Sequence, residues 1–189
     1  MAGDRGVAAS GVACDAVTTP LVPIRPIIID TREQAPWCFP PSMQTIRRGL
    51  GFGDYSLDGL DSVVAIERKS IPDLLGCVGT SRERFTRHLF GLADLPFAHV
   101  VVEGSMATVA SEVENTSLNL SSVMGTIVSW AAATGVHFWF PDDRRFATAL
   151  ALRILTISER KFDGYVAQQK VGNDKRVPLH LVGEEMLLP

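Results

Sequence analysis

Two acidic residues and a lysine, Asp54, Glu67 and Lys69, lie within GDYSLDGLDSVVAIERKSIPDLL, residues 53–75, where the apolar run Val63 to Ile66 ends abruptly in charge. If residues 54–58 and 62–68 form a hairpin around Gly59-Leu60-Asp61, turning between Leu60 and Asp61, Asp54 lies opposite Glu67. Carboxylates in that relation have β-carbons about 5 Å apart and repel unless a cation or a shared proton lies between them. Hard oxygen ligands of this kind suit Mg²⁺ or Mn²⁺, which keep several waters and take further ligands from a phosphate. Lys69 shares the strand face of Glu67, whereas Arg68 points the other way. Lys69 could therefore position or deprotonate an attacking water and screen charge developing on phosphorus. Such a set is what metal-dependent phosphodiester cleavage requires. Taken alone it is a common pattern, because E-x-K in most proteins marks a solvated strand end. A carboxylate pair can also be the acid and base of glycoside hydrolysis, a reading that leaves Lys69 without a task.

The elements that must position these residues can be read from pattern. Ile27, Ile28 and Ile29 are contiguous and β-branched, as in a buried strand, and run into Asp30-Thr31-Arg32-Glu33. Pro36, Pro40 and Pro41 force a loop, and Met43 to Leu50 forms a short element before Gly51 and Gly53. Ser70-Ile71-Pro72-Asp73 has the form of a capping box with Pro in the first turn. Thr80-Ser81-Arg82-Glu83 is a second one, opening a helix whose Phe85, Leu89 and Leu92 share a face. A buried strand is expected from Phe97 to Val102, ending at Glu103-Gly104. A long helix follows over residues 119–133, with Leu120, Val123, Met124, Ile127 and Val128 as its apolar face and Gly135 as C-cap. Val136 to Phe140 predicts a short strand, and Pro141-Asp142 starts a helix carrying Phe146, Leu150 and Ile154 to about Lys161. Trp37, Trp130, Trp139 and most Phe residues are assigned to the core. Strands followed by alternating helices and strands predict an α/β fold with a central mixed sheet flanked by helices.

The full string GDYSL…AIERKSIPDLL resembles the G-D…E-R-K-x-x-x-D signature of the XPF family of structure-specific endonucleases, and IIIDTRE, residues 27–33, is similar to the strand and acidic turn that precede it there. The similarity extends over roughly Pro26 to Lys161, a whole nuclease domain. It implies a restriction-endonuclease-like core and a Mg²⁺- or Mn²⁺-dependent DNA endonuclease. Asp54 and Glu67 would be the principal metal ligands, with the Arg68 carbonyl completing the site and Lys69 in the active centre. Asp30 and Glu33 match upstream acidic positions that would hold a second ion. Asp73 closes the signature, either in direct catalysis or as a helix cap. Arg32 either grips a phosphate or pairs with Glu33 or Glu67, and the same choice applies to Arg68. Glu103 is either a solvated strand end or a neighbour of the metal. Arg82, Arg84, Arg87 and His88 open the helix after the signature and are candidates for DNA phosphate contact, with Arg47 and Arg48 weaker ones.

Larger family members continue into paired helix-hairpin-helix motifs and many carry an upstream helicase region, neither of which is found in this sequence. The resemblance is therefore to a stand-alone domain of bacterial or phage type. The expected substrate is branched DNA or a single-strand/double-strand junction, in repair, recombination or phage DNA processing. Alternatives are a catalytically silent DNA-binding or scaffold subunit and a sequence-specific restriction-type endonuclease. Family nuclease domains pair through helical faces, so a homodimer is expected.

Composition sets the remaining bounds. With 189 residues, 46% of them hydrophobic, the chain suffices for one domain with tails. The expected division is a flexible arm over residues 1–25, a nuclease domain over 26–162 and an extension over 163–189. A net charge of −3 excludes a global basic field, so nucleic-acid binding must rest on a local patch. Cys14, Cys38 and Cys77 form no metal-type spacing and no disulfide framework, which fits a reducing compartment. No apolar stretch has the length of a membrane span and no signal peptide is legible, so a cytoplasmic protein, nucleoid-associated or phage-encoded in a host cytoplasm, is expected.

Overall fold

The computed structural model describes residues 25–171. The predicted arm before Arg25, the turn at Gly172-Asn173-Asp174 and the closing residues 184–188 lie outside the described residues. A six-stranded mixed sheet runs in the order β2-β1-β3-β4-β5-β6. Its strands are β1 (Ile27–Ile29), β2 (Thr45–Arg47), β3 (Tyr55–Leu57), β4 (Val64–Ser70), β5 (Phe97–Glu103) and β6 (His137–Trp139). β3 is antiparallel to both β1 and β4, whereas β4, β5 and β6 are mutually parallel neighbours. Tyr55 faces Ile66, the register expected from a turn between Leu60 and Asp61.

Period-two alternation in β4 divides the core. Val64 and Ile66 join Ile27, Tyr55 and Leu57 beneath α5 (Arg144–Val171), which contributes Ala147, Ala151 and Leu155. Ala65 lies on the opposite face, in the cluster covered by α1 (Ile71–Val78), α2 (Arg82–Ala93), α3 (Met106–Val113) and α4 (Leu120–Thr134). Each central strand is thus buried on both sides, as the uninterrupted Ile27 to Ile29 and Val64 to Ile66 runs require.

The helix starts bear out some expectations and correct others. Ser70 caps α1, its hydroxyl accepting the Asp73 N–H. The second predicted capping box is not formed: α2 starts at Arg82, one residue later than a box from Thr80 to Glu83 requires, and Ser81, now at the cap position with φ −104° and ψ 18°, makes no cap bond. Asn119 caps α4, and Gly135, at φ 72°, ends it in the left-handed conformation. The buried stripe of α4 is Val123, Thr126, Ile127 and Trp130, so Met124 and Val128, one position round the helix, are exposed instead of core. Trp37 and Trp130 are buried, but Trp139, on the edge strand, is 39% exposed, and Phe52, Phe90 and Phe146 are exposed as well. The last helix begins at Arg144, where the Asp143 carboxylate accepts the Arg145 and Phe146 N–H groups, and continues past Lys161 to Val171. The helix α3, capped by Ser105, has no counterpart among the predicted elements.

Gly53 allows β3 to approach β4. It has φ +74°, and a Cβ there would meet the Ile66 carbonyl oxygen at 3.0 Å and the Ala65 Cβ at 3.1 Å. Gly53→Ala is expected to lower stability in urea unfolding by about 1–2 kcal/mol, the left-handed penalty for a residue with a β-carbon. An unchanged midpoint would contradict this account of the turn.

Candidate active site at the ends of β3 and β4

The ladder between β3 and β4 continues into the site. The Asp54 N–H donates to the Ile66 carbonyl at 2.8 Å, and the Asp54 carbonyl accepts the Asp30 N–H at 2.8 Å. One residue further on, a side chain replaces the backbone, as Asp54 Oδ2 accepts the Arg68 N–H at 2.8 Å. Asp54 is thereby fixed beside the strand that carries Glu67.

Glu67 is 7% exposed and lies on the Ala65 face of β4, beneath α2. Its Oε1 accepts from Lys69 Nζ, and its Oε2 lies 2.8 Å from His88 Nε2. Lys69 Nζ also stands 4.8 Å from the centre of the Phe85 ring. Burial pushes the Asp54 carboxyl up to about 7, and the neighbouring Glu67 charge adds to the rise. Burial would push Glu67 the same way, but hydrogen bonding to His88 and the charge of Lys69 outweigh it and hold Glu67 below the usual range. Burial would lower Lys69, but the Glu67 carboxylate overcomes it and Lys69 is raised. One carboxylate of the pair is thus compensated by Lys69 and the His88 hydrogen bond, and the other carries the cost of crowding.

Arg68 turns to the opposite face, as alternation requires. Its guanidinium binds Glu103 at 2.7 and 2.9 Å and reaches Glu33 at 3.5 Å. Glu103 also accepts from Trp37 Nε1 at 2.6 Å and from Arg144 at 3.0 Å. Arg144 in turn donates to the Ala35 and Pro36 carbonyls, both at 2.7 Å, tying the start of α5 to the acidic loop.

The other predicted residues have clear positions. Asp30 is fully buried and its carboxylate receives Arg32 Nε at 2.7 Å, the Arg32 N–H at 2.8 Å and the Leu50 N–H at 2.6 Å. Burial would raise its pKa, but the Arg32 and Leu50 hydrogen bonds prevail and lower it to about 2. Arg32 therefore pairs with Asp30, not with Glu33 or Glu67. Glu33 accepts the Ala35 N–H at 2.6 Å and faces Arg68. Asp73 accepts the Ser70 hydroxyl at 2.6 Å. Arg48 pairs with Asp58 and Asp61, while Arg47 donates to the Glu33 carbonyl at 3.2 Å. Arg82, Arg84 and Arg87 line an open depression with Thr80 and Ser81 at the start of α2. His88, grouped by sequence with these arginines, instead reaches into the site. The helical spacing from Phe85, which is buried, is the signal in the sequence for that turn.

Asp54 leaves one carboxylate oxygen for a divalent ion. Among the described residues Asp54 Oδ1 accepts no hydrogen bond, so it stands available beside the Glu67 carboxylate, whose repulsion an ion would relieve. Asp30 and Glu33 accept from protein donors, as both Glu67 oxygens do. No group of three or more His, Cys, Asp or Glu among the described residues is arranged to hold a metal. An ion on the Asp54–Glu67 pair would need backbone, water or substrate oxygens besides, as Mg²⁺ commonly does.

This mixed sheet with helices on both faces has the restriction-endonuclease-like fold. The chain belongs to the ERCC4 domain family, whose pattern it matches over residues 29–151. Its fold is similar to that of XPF from Aeropyrum pernix, with 17% identity and a TM-score of 0.58 over 80% of this chain and 67% of that one. It is also similar to XPF from Aeropyrum pernix in complex with DNA, at 19% identity and a TM-score of 0.55 over 74% and 66% of the respective chains. The chain thus spans about two thirds of those structures. No curated protein sequence matches it.

Asp30 joins β1 to the loop before β3, so its charge is expected to matter for stability. With its pKa held at about 2 in the fold against an ordinary 3.8, the contribution is present above about pH 4 and is lost as pH falls towards 2. Asp30→Asn should cost about 2 kcal/mol at neutral pH. It should also flatten the acid limb of the stability profile, measured by denaturant titration across pH.

Proposed function

We propose that the chain is a Mg²⁺- or Mn²⁺-dependent DNA endonuclease that cuts a phosphodiester at a branch, flap, fork or single-strand/double-strand junction, acting in repair, recombination or phage DNA processing in a cytoplasm. The observation that supports it is the pairing of half-buried Asp54 with buried Glu67, with Lys69 bonded to Glu67. Membership of the ERCC4 domain family supports DNA as the substrate. The solved XPF in complex with DNA shares the fold.

In this reading Asp54, Glu67 and the Arg68 carbonyl would hold the ion. When bound, the ion supplies Lewis-acid polarisation of the scissile phosphate. Lys69 orients the attacking water and screens negative charge as it accumulates on the phosphoryl oxygens. The Arg68 side chain acts on the opposite face, keeping the end of β4 anchored to Glu103 and Glu33. Asp73 serves α1 as a cap, consistent with its bonds to Ser70. Arg82, Arg84 and Arg87 grip backbone phosphate at the start of α2, where the positive helix end assists. Arg32 remains on Asp30. A homodimer is part of the proposal, supported by the exposed Met124, Val128, Phe146 and Ile157 on α4 and α5. No helix of the described residues is long and apolar enough to cross a membrane.

The test is incubation of pure protein with labelled flap, fork, Holliday-junction and linear duplex DNA in Mg²⁺, Mn²⁺ or EDTA. Cleavage is expected in either ion and none in EDTA. Asp54→Asn and Lys69→Ala should each reduce the rate at least about 100-fold, as for loss of a charge-stabilising group. Unchanged cutting in both variants would refute the site assignment, and DNA binding without cutting in every metal would favour a silent scaffold.

The arginine assignment has its own measurement. Replacing Arg82, Arg84 and Arg87 together by Ala should reduce the slope of log affinity against log salt by about 0.7–0.9 for each phosphate that is no longer neutralised. A slope equal to that of the parent would remove these residues from the DNA surface.

A further inference from the structure

We propose that His88 is a positioning residue for the Glu67 carboxylate, making α2 part of the frame that holds the acidic pair; this rests on the nuclease reading above. The terminal torsion of a glutamate is broad, so a single donor on one oxygen leaves the carboxylate plane free to turn. Lys69 holds Oε1 from the same strand, and His88 Nε2 meets Oε2 at 2.8 Å from a different element. Two donors on separate supports define the plane, as outer partners of metal-binding carboxylates do.

The imidazole is itself held. It stacks on Phe85 at 6.0 Å between centroids and is flanked by Phe52 at 5.9 Å. Phe52 lies against Gly91, where a β-carbon would come within 2.1 Å of the ring, so the absence of a side chain at Gly91 gives Phe52 its place. Phe85 is also the ring below Lys69 Nζ, so one aromatic of α2 supports both donors to Glu67. The His88 side chain is 32% exposed, which makes it replaceable without emptying the core.

The experiment compares the full chain with His88→Ala and His88→Gln, the latter keeping an N–H donor at similar reach. Mn²⁺ binding is followed by electron paramagnetic resonance, DNA cleavage by kcat and KM, and fold by thermal melting. His88→Ala is expected to weaken Mn²⁺ binding about 10–100-fold. It should lower kcat while KM for DNA stays near that of the parent, and His88→Gln should recover most of both losses. Parent-like Mn²⁺ affinity in a folded His88→Ala overturns the proposal. So does a folded His88→Gln as weak as the Ala variant, and the Gln variant carries the test if the Ala variant does not fold. A parent chain whose Mn²⁺ affinity depends on His88 but which cuts no DNA would overturn the nuclease reading and leave the positioning role standing. A parent that binds no Mn²⁺ would overturn both.

Discussion

Two carboxylates where neighbouring strands meet, Glu67 buried and Asp54 half-buried, set the terms for the rest of the site. Asp54 and Glu67 disfavour each other's charge, and burial disfavours both. The structure answers asymmetrically. Glu67 receives Lys69 and His88, while Asp54 receives a backbone N–H, from Arg68, and keeps one oxygen without a donor among the described residues. An ordinary core would replace such a pair with apolar groups, since compensated buried charge seldom improves stability over good packing. Its retention where two strands end therefore fits a binding site better than a stabilising device.

The strand that carries Glu67 works on two faces at once. Glu67 and Lys69 point to the side covered by α2, and Arg68, between them, points to the side of α5. There Arg68 finds Glu103, itself held by Trp37 and Arg144. Because successive side chains of a strand diverge, a donor set on one face can be braced through the residue between its members. The ERK sequence thus combines site and anchor in three consecutive positions. Trp37 adds to the bracing by stacking on Tyr55 at 4.4 Å, with its backbone N–H donated to the Tyr55 hydroxyl at 2.8 Å. The strand next to Asp54 is therefore fixed to the same loop that Arg144 binds.

Much of this is legible in the sequence wherever a strong local signal coincides with tertiary packing. The isoleucine run, the hairpin register, the cap at Ser70 and the glycine stop at Gly135 follow from residue type and spacing. The failures arise where a local rule meets competing context. The box from Thr80 to Glu83 has the right chemistry, but Ser81 closes the turn after α1 through a bond to the Gly76 carbonyl at 3.0 Å, and α2 starts one residue late for it. Met124 and Val128 read as apolar face because hydrophobicity alone does not say which of two adjacent stripes packs. The contacts of His88, Arg144 and Trp37 join residues 21, 41 and 66 positions apart, and no local pattern encodes such meetings. The α3 segment, MATVASEV, is eight residues long and buries only Val109 and Val113, so its apolar pattern spans too few turns to stand out.

The helix α2 concentrates positive charge in a chain that is negative overall. The whole chain carries −3, yet Arg82, Arg84 and Arg87 crowd the first turns of one helix, beside its positive end. Exposed charges are screened beyond about 10 Å at ordinary ionic strength, so the chain's overall negative balance is weakly felt there. Phe85, Leu89 and Leu92 bury one side of the helix against the sheet, and His88 leaves it towards Glu67. The same rigid element therefore links the basic surface to the acidic pair. A phosphate held by these arginines would keep a fixed distance from Asp54 and Glu67, because both ends of the linkage are anchored in one packed core.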